Sequence, residues 1–226
     1  LSNRSQSQHG VAKLSLKDHL KYLKELFDRN DLKTFVPNAQ KFLINNPNNT
    51  LIWNMLGCVY RKMGNLTEAR NAFQNTIALQ SDFSEGHYNL AMTLKLQGEL
   101  EDAVTAFEVT LSHNSNHLEA LLNLGKVLRS LGRLEDAVRV FKKFVKMMPD
   151  HSKKSFGLGN LANTLRDLGR FDEAIEIYNK ALLIAVTNRG QLLNNLGTAF
   201  FQKDDFQEAL VNFDKALQVD PNLSAA

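Results

Sequence analysis

Apolar residues recur at helical spacing along nearly the whole chain. Between residues 118 and 130, Leu121, Leu124 and Leu128 share one face at i, i+3 and i+7. After Gly132 a second series runs through Leu134, Ala137, Val138, Phe141 and Val145, again on one face. The spacing predicts two antiparallel helices of about 13 residues, roughly 20 Å each at the α-helical rise. The pair is not unique. NLGKVLRSLGRLEDAV at 123–138 is echoed by MLGCVYRKMGNLTEAR, NLAMTLKLQGELEDAV, NLANTLRDLGRFDEAI and NLGTAFFQKDDFQEAL, which start at 55, 89, 160 and 195. A near-constant period of this size marks a stacked-repeat, all-α architecture that grows by adding helix pairs.

The repeated letters have structural work to do. Gly64, Gly98, Gly132 and Gly169 follow the first helix of a pair, where the backbone often turns left-handed. Gly57, Ala91, Gly125, Ala162 and Gly197 share one repeat position, and Ala69, Ala103, Ala137, Ala174 and Ala209 share another, so that two helices can approach closely. Glu68, Glu101, Asp102, Glu135, Asp136, Asp172, Glu173 and Glu208 fall in the first turn of each second helix, facing the positive end of its dipole. That placement explains these carboxylates without any acid–base role. Asp204 replaces the turn glycine of the last pair. Phe144 stands where the other pairs have Thr76, Thr110, Ala181 and Ala216, which predicts that packing opens there. Ser152, Lys153 and Lys154 are extra residues, and Gly157 and Gly159 weaken the helix that follows. A longer, looser joint is expected near 150–159, either a local change of pitch or a hinge.

Trp53, Leu56, Gly57, Tyr60, Ala69 and Phe73 reproduce the spacing of the tetratricopeptide repeat, as do Leu124, Gly125, Leu128, Ala137, Phe141 and Pro149, and Leu196, Gly197, Phe200, Ala209, Phe213 and Pro221. The chain therefore resembles that family over five units, at 50–83, 84–117, 118–151, 155–188 and 190–223. A weaker first unit at 16–49 keeps the phase through Leu20, Leu26, Phe35, Ala39, Phe42 and Pro47. The resemblance implies a right-handed superhelical α-solenoid, a single array over 13–226 behind a polar tail or linker at 1–12. It also implies a concave groove lined by the first helix of each pair.

One position on that helix calls for a reason. Asn89, Asn123, Asn160 and Asn195 recur at a single phase, and Asn54 and Asn194 flank the same row. Asparagine competes with the helix backbone, so four in helix interiors need a compensating role. Either each stitches neighbouring helices together, or they form a ladder that bonds the backbone of an extended peptide, since an amide both accepts and donates. The second alternative resembles the asparagine ladder of the superhelical domain in O-linked N-acetylglucosamine transferases. Six residues after each ladder position come Lys95, Arg129 and Arg166, with Phe201 ending the series, and Arg61 stands six after Met55, the residue that breaks the row in the first full unit. Lys126 and Asn163 lie one turn from the ladder. The cations either cover apolar surface with their stems or select a peptide with acidic side chains.

Composition narrows the partners. A net charge of +3 over 226 residues is too small to imply nucleic acid, and aromatics do not interleave with the cations. The single cysteine, Cys58, excludes an internal disulfide, and a reducing, cytoplasmic setting is expected. No apolar run approaches a membrane span, so no membrane partner is expected. His113 and His117 lack the companions of a metal site, and no phosphate loop or nucleophile motif is present. No cofactor and no catalytic set are expected. Asn54, Cys58, Tyr88 and Leu122 stand where relatives that grip a terminal carboxylate carry other residues, so that mode is not expected. The reading is a protein–protein interaction module that takes an extended peptide, an acidic one included, or a partner protein in its groove, as a fragment of something larger. The alternatives are a substrate-presenting region of a transferase-type enzyme, or a scaffold that assembles through its outer faces or ends, with end-to-end self-association through Leu210, Phe213 and Leu217 of the last helix.

Overall fold

The computed structural model describes residues 15–149 and 151–223. The expected tail at 1–12 and the last three residues lie outside the described residues. Those described form twelve α-helices and no strand, paired as six antiparallel hairpins. The protein is thus an all-α solenoid of helix–turn–helix units. It divides into two compact units, Leu1–Ser81 and Asp82–Ala226. The first holds α1 (Leu16–Asp28), α2 (Leu32–Asn45), α3 (Thr50–Lys62) and α4 (Leu66–Leu79). The second holds α5 (Ser84–Gln97), α6 (Leu100–His113), α7 (Leu118–Ser130), α8 (Leu134–Met147), α9 (His151–Asp167), α10 (Phe171–Ile184), α11 (Arg189–Gln202) and α12 (Phe206–Val219).

The turns follow the sequence. Gly64, Gly98, Gly132 and Gly169 all have φ between 73° and 82°. Asp204 takes the same left-handed conformation at φ 65°, and Asn30 does so in the first hairpin at φ 59°. Asp and Asn tolerate this region better than other side chains, so the loss of glycine leaves the turn intact. Ser15, Asp31, Asn49, His117 and Asp205 cap helices by accepting a backbone N–H of the first turn. Trp53 Nε1–H donates to the Pro47 carbonyl at 2.7 Å, tying the tryptophan of one repeat to the proline that ends the one before.

Inside a hairpin, the small residue of the first helix receives an aromatic ring from the second. A Cβ on Gly57 would lie 2.5 Å from the Phe73 ring, one on Gly125 2.6 Å from Phe141, and one on Gly197 2.7 Å from Phe213. Phe73 is fully buried in the first unit, and Phe107, Phe141 and Tyr178 are fully buried in one core cluster of the second.

Packing around Phe144, expected to open, is tight; position 150 of the expected joint, and the side chains of 151 and 152, lie outside the described residues. Phe144 is only 2% exposed and packs with Leu121 and Met148. Its volume is accommodated by Gly157, where a Cβ would stand 2.5 Å from the Phe144 ring. The extra residues extend the following helix instead of lengthening a loop: α9 has 17 residues where the other helices have 13 or 14. Helix propensity is a weak term. Gly157 and Gly159 are buried inside α9, and the packing they permit outweighs their roughly 1 kcal/mol cost each.

A chain of exposed ion pairs links successive hairpins of the second unit. Arg133 reaches Glu101 at 3.4 Å, Arg170 reaches Glu135 at 3.5 Å and Lys203 reaches Asp172 at 2.5 Å. Arg133 and Arg170 also hold Asp136 and Glu173 at the start of the helix that follows them. The hydrogen bond to Arg170 keeps the Glu173 carboxyl below its ordinary range.

Candidate functional site

α7 meets α9, and α9 meets α11, edge to edge within the second unit. This is the face that carries the recurring amides. They are not equivalent. Asn89 on α5 is buried, with 3% of its surface exposed. Asn123, Asn160 and Asn195 are half-buried at the surface. Asn123 is the most committed of the three: its Nδ2 donates to the Glu119 carbonyl at 2.9 Å and lies 3.5 Å from the Tyr88 hydroxyl, and its Oδ1 accepts from Lys95 Nζ at 3.1 Å. Asn160 donates one N–H to the Phe156 carbonyl at 2.8 Å, and its Oδ1 and second N–H have no partner among the described residues. Asn195 Oδ1 accepts from Gln191 Nε2 at 3.1 Å, and neither of its N–H groups has a partner among the described residues. The bond from each of Asn123 and Asn160 to a carbonyl four residues back in its own helix fixes the side chain against that helix. Of the three, Asn123 also reaches across to the neighbouring α5. Asn194 is half-buried beside Asn195.

Asn160 shares a cleft of about 440 Å³ with Lys126, Arg129, Ser130 and Asp167, so α7 and α9 bring amide, ammonium and guanidinium groups to one place. The cations divide into two kinds. Arg129 Nε lies 2.6 Å from Asp167, and Arg166 lies 3.5 Å from the same carboxylate. Asp167 thus offsets part of the charge, and it was missed in the sequence because it follows Arg166 directly rather than recurring with the period. Arg166 Nε is buried with no hydrogen-bond partner among the described residues. Lys95 and Lys126 have no carboxylate within ion-pair distance among the described residues. Burial, and secondarily the neighbouring Lys126 ammonium, lowers the Lys95 pKa. The pair is a site of uncompensated positive charge. Asn163 is already engaged, accepting a short hydrogen bond from the Tyr178 hydroxyl.

In the first unit the Arg61 guanidinium lies over the Phe73 ring, 5.5 Å from its centroid, a cation–π contact. Asn54 on α3 is half-buried. Cys58 lines a cleft of about 570 Å³ with Phe27, Asn30, Leu32, Arg61 and Lys62. His113 and His117 are not brought to one site. His113 stacks on His87 at 5.4 Å, whereas His117 caps α7 and faces Glu85 at 3.4 Å. Phe201 is exposed and meets Phe206 edge-on at 5.4 Å. No helix among the described residues is long and apolar enough to cross a membrane.

Comparison with known proteins agrees with this architecture. Family models described as tetratricopeptide repeat match residues 54–112, 97–152 and 156–222. No curated protein matches the sequence. Among solved structures, YrrB, described as a TPR protein with an unusual peptide-binding site, is 17% identical, covers 82% of this chain and 93% of its own, and superposes with a TM-score of 0.69. MamA from Desulfovibrio magneticus RS-1 is 20% identical over 78% of this chain and 97% of its own, with a TM-score of 0.70. A tetratricopeptide repeat protein from Parabacteroides merdae ATCC 43184 is 20% identical over 89% of this chain and 78% of its own, with a TM-score of 0.74. At these identities the likeness shows the fold.

Proposed function

Because the chain belongs to the tetratricopeptide repeat family, whose fold serves protein interaction, we propose that its second unit binds an extended peptide along the face formed by α7, α9 and α11. The observation that carries this is the cleft where Asn160 keeps an open acceptor and donor beside Lys126 and Arg129. An extended peptide offers one N–H and one C=O per residue, and such an amide can bond both, whatever the peptide's side chains. Asn160 and Asn195 are the backbone readers with capacity left, and Asn123 contributes what Lys95 and Glu119 leave it. Lys95 and Lys126 supply the preference for an acidic side chain. Asn89 does not act from its buried position, and Asn163 holds Tyr178 in place. A peptide-binding site in YrrB, a protein of the same fold, is consistent with this use of the repeats.

Selection of a random peptide-display library on the immobilised protein tests the proposal. Sequences enriched on the wild type should carry Asp or Glu and should not enrich on the Asn123→Ala/Asn160→Ala/Asn195→Ala variant. At about 1 kcal/mol per hydrogen bond, each alanine lowers affinity about fivefold and the triple variant roughly a hundredfold. Equal enrichment on both proteins overturns the assignment and leaves a scaffold that joins partners by its outer faces or ends.

A further inference from the structure

The second unit carries another cleft on its α8/α10 side, away from the amides. About 570 Å³ in volume, it is floored by Val145 of α8, Leu158 and Leu161 of α9, and Ile177 and Ile184 of α10. Leu183 stands at its edge, 86% exposed. That exposure is not a property of the repeat. The corresponding positions hold Ala78, Ser112, Lys146 and Gln218, so leucine breaks a series of small or polar surface residues. Four lysines rim the same cleft: Lys142 and Lys146, one turn apart on α8, Lys154 on α9, and Lys180 on α10. Lys180 is paired with Glu176 at 2.5 Å. Lys142, Lys146 and Lys154 have no carboxylate within ion-pair distance among the described residues. Lys154 is one of the extra residues that lengthen α9, so the insertion itself supplies part of the rim.

We infer that this furrow seats an amphipathic helix of a partner protein, with leucine-type anchors against Leu183 and Val145 and acidic side chains against Lys142, Lys146 and Lys154. Two neighbouring second helices with a third helix as floor leave a groove of the kind into which a helix lays its apolar stripe. The ammonium groups of Lys142, Lys146 and Lys154, which have no ion pair with a described carboxylate, select the sign of its flanks. A membrane surface fits less well, because the apolar residues line a recess rather than a protruding ridge.

The probe is a synthetic helical peptide of about four turns, roughly 14 residues, with leucines at i, i+3, i+4 and i+7 and glutamates on both flanks. It is labelled and titrated by fluorescence anisotropy. A lysine-flanked copy, and vesicles of phosphatidylserine and phosphatidylcholine, serve as competitors for the two other outcomes. The glutamate-flanked peptide should bind at least about tenfold more tightly than the lysine-flanked one. It should lose at least about tenfold in Leu183→Asp and again in Lys142→Glu/Lys146→Glu, and keep its affinity in Lys143→Glu. Leu183 and both lysines are exposed, so these variants keep the fold, which circular dichroism checks. Equal binding of the two peptides, binding unchanged in Leu183→Asp, or vesicle binding without peptide binding overturns the inference. None of these outcomes depends on the amides of α7, α9 and α11, so this site and the groove stand or fall separately.

Discussion

At the residue scale, what decides a side chain's role is how much of its bonding capacity the fold has already used. Asn160 and Asn163 illustrate this three residues apart. The first keeps an open acceptor, and the second gives its acceptor to Tyr178. The row of asparagines is legible in the sequence because they recur with the period. The burial of Asn89 and the charge of Asp167 between two arginines are not, because both depend on neighbours brought in by packing. Tyr178 is fully buried, and burial pushes its pKa up to about 12 from 10.0. A folded-state value above the unfolded one means that the neutral phenol contributes stability fully below pH 10, and that this is lost as pH rises towards 12. Wild-type protein should therefore lose about 2–3 kcal/mol over that range, followed by urea melts. Tyr178→Phe should lose correspondingly less there while starting less stable, since Asn163 then lacks its donor. Lys95 gives a second pH dependence. An acidic ligand raises its lowered pKa back towards the ordinary value, so affinity for acidic peptides is full below the free-state pKa and falls as pH rises through the bound-state one. Calorimetry in buffers of different ionisation enthalpy, in the alkaline range, should show proton uptake on binding.

At the scale of elements, α9 shows why propensity and packing disagree. From the sequence, its glycines read as a weak start and Phe144 as an intrusion. Each is the answer to the other: the ring fills the volume that a Cβ on Gly157 would occupy. Sequence-level reasoning weighs positions singly, and this pair is thirteen residues apart on different helices. Gly157→Ala should therefore destabilise by about 1–3 kcal/mol despite alanine's better helix propensity. Phe144→Ala should do so by about 3–5 kcal/mol through cavity formation. The double variant should lose less than the two losses added, because the methyl partly fills the cavity. Thermal melts of the four proteins close the cycle, and simple additivity would show that the two residues do not share one volume. The helix pairs themselves were legible because period, turn glycine and apolar face agree at every level.

At the scale of the whole molecule, the family and the helix-pair architecture follow from repetition, whereas the ties between repeats do not. The first-turn carboxylates read as partners of the helix dipole. The structure adds cations from the following repeat, Arg133, Arg170 and Lys203, to Glu101, Glu135 and Asp172. These pairs are exposed, so salt screens them. Arg133→Gln/Arg170→Gln should lower Tm at low salt, and the difference should shrink towards zero at 1 M sodium chloride. What the repeated amides read is tested most directly by isothermal titration of the best display-selected peptide against analogues methylated at one backbone nitrogen at a time. Methylation removes an N–H without changing a side chain. Affinity should fall at nitrogens about one repeat step apart, and the same methylations should cost nothing further in the Asn160→Ala/Asn195→Ala variant. Affinity that follows side-chain changes alone, and ignores backbone methylation in both proteins, would contradict backbone reading by these asparagines.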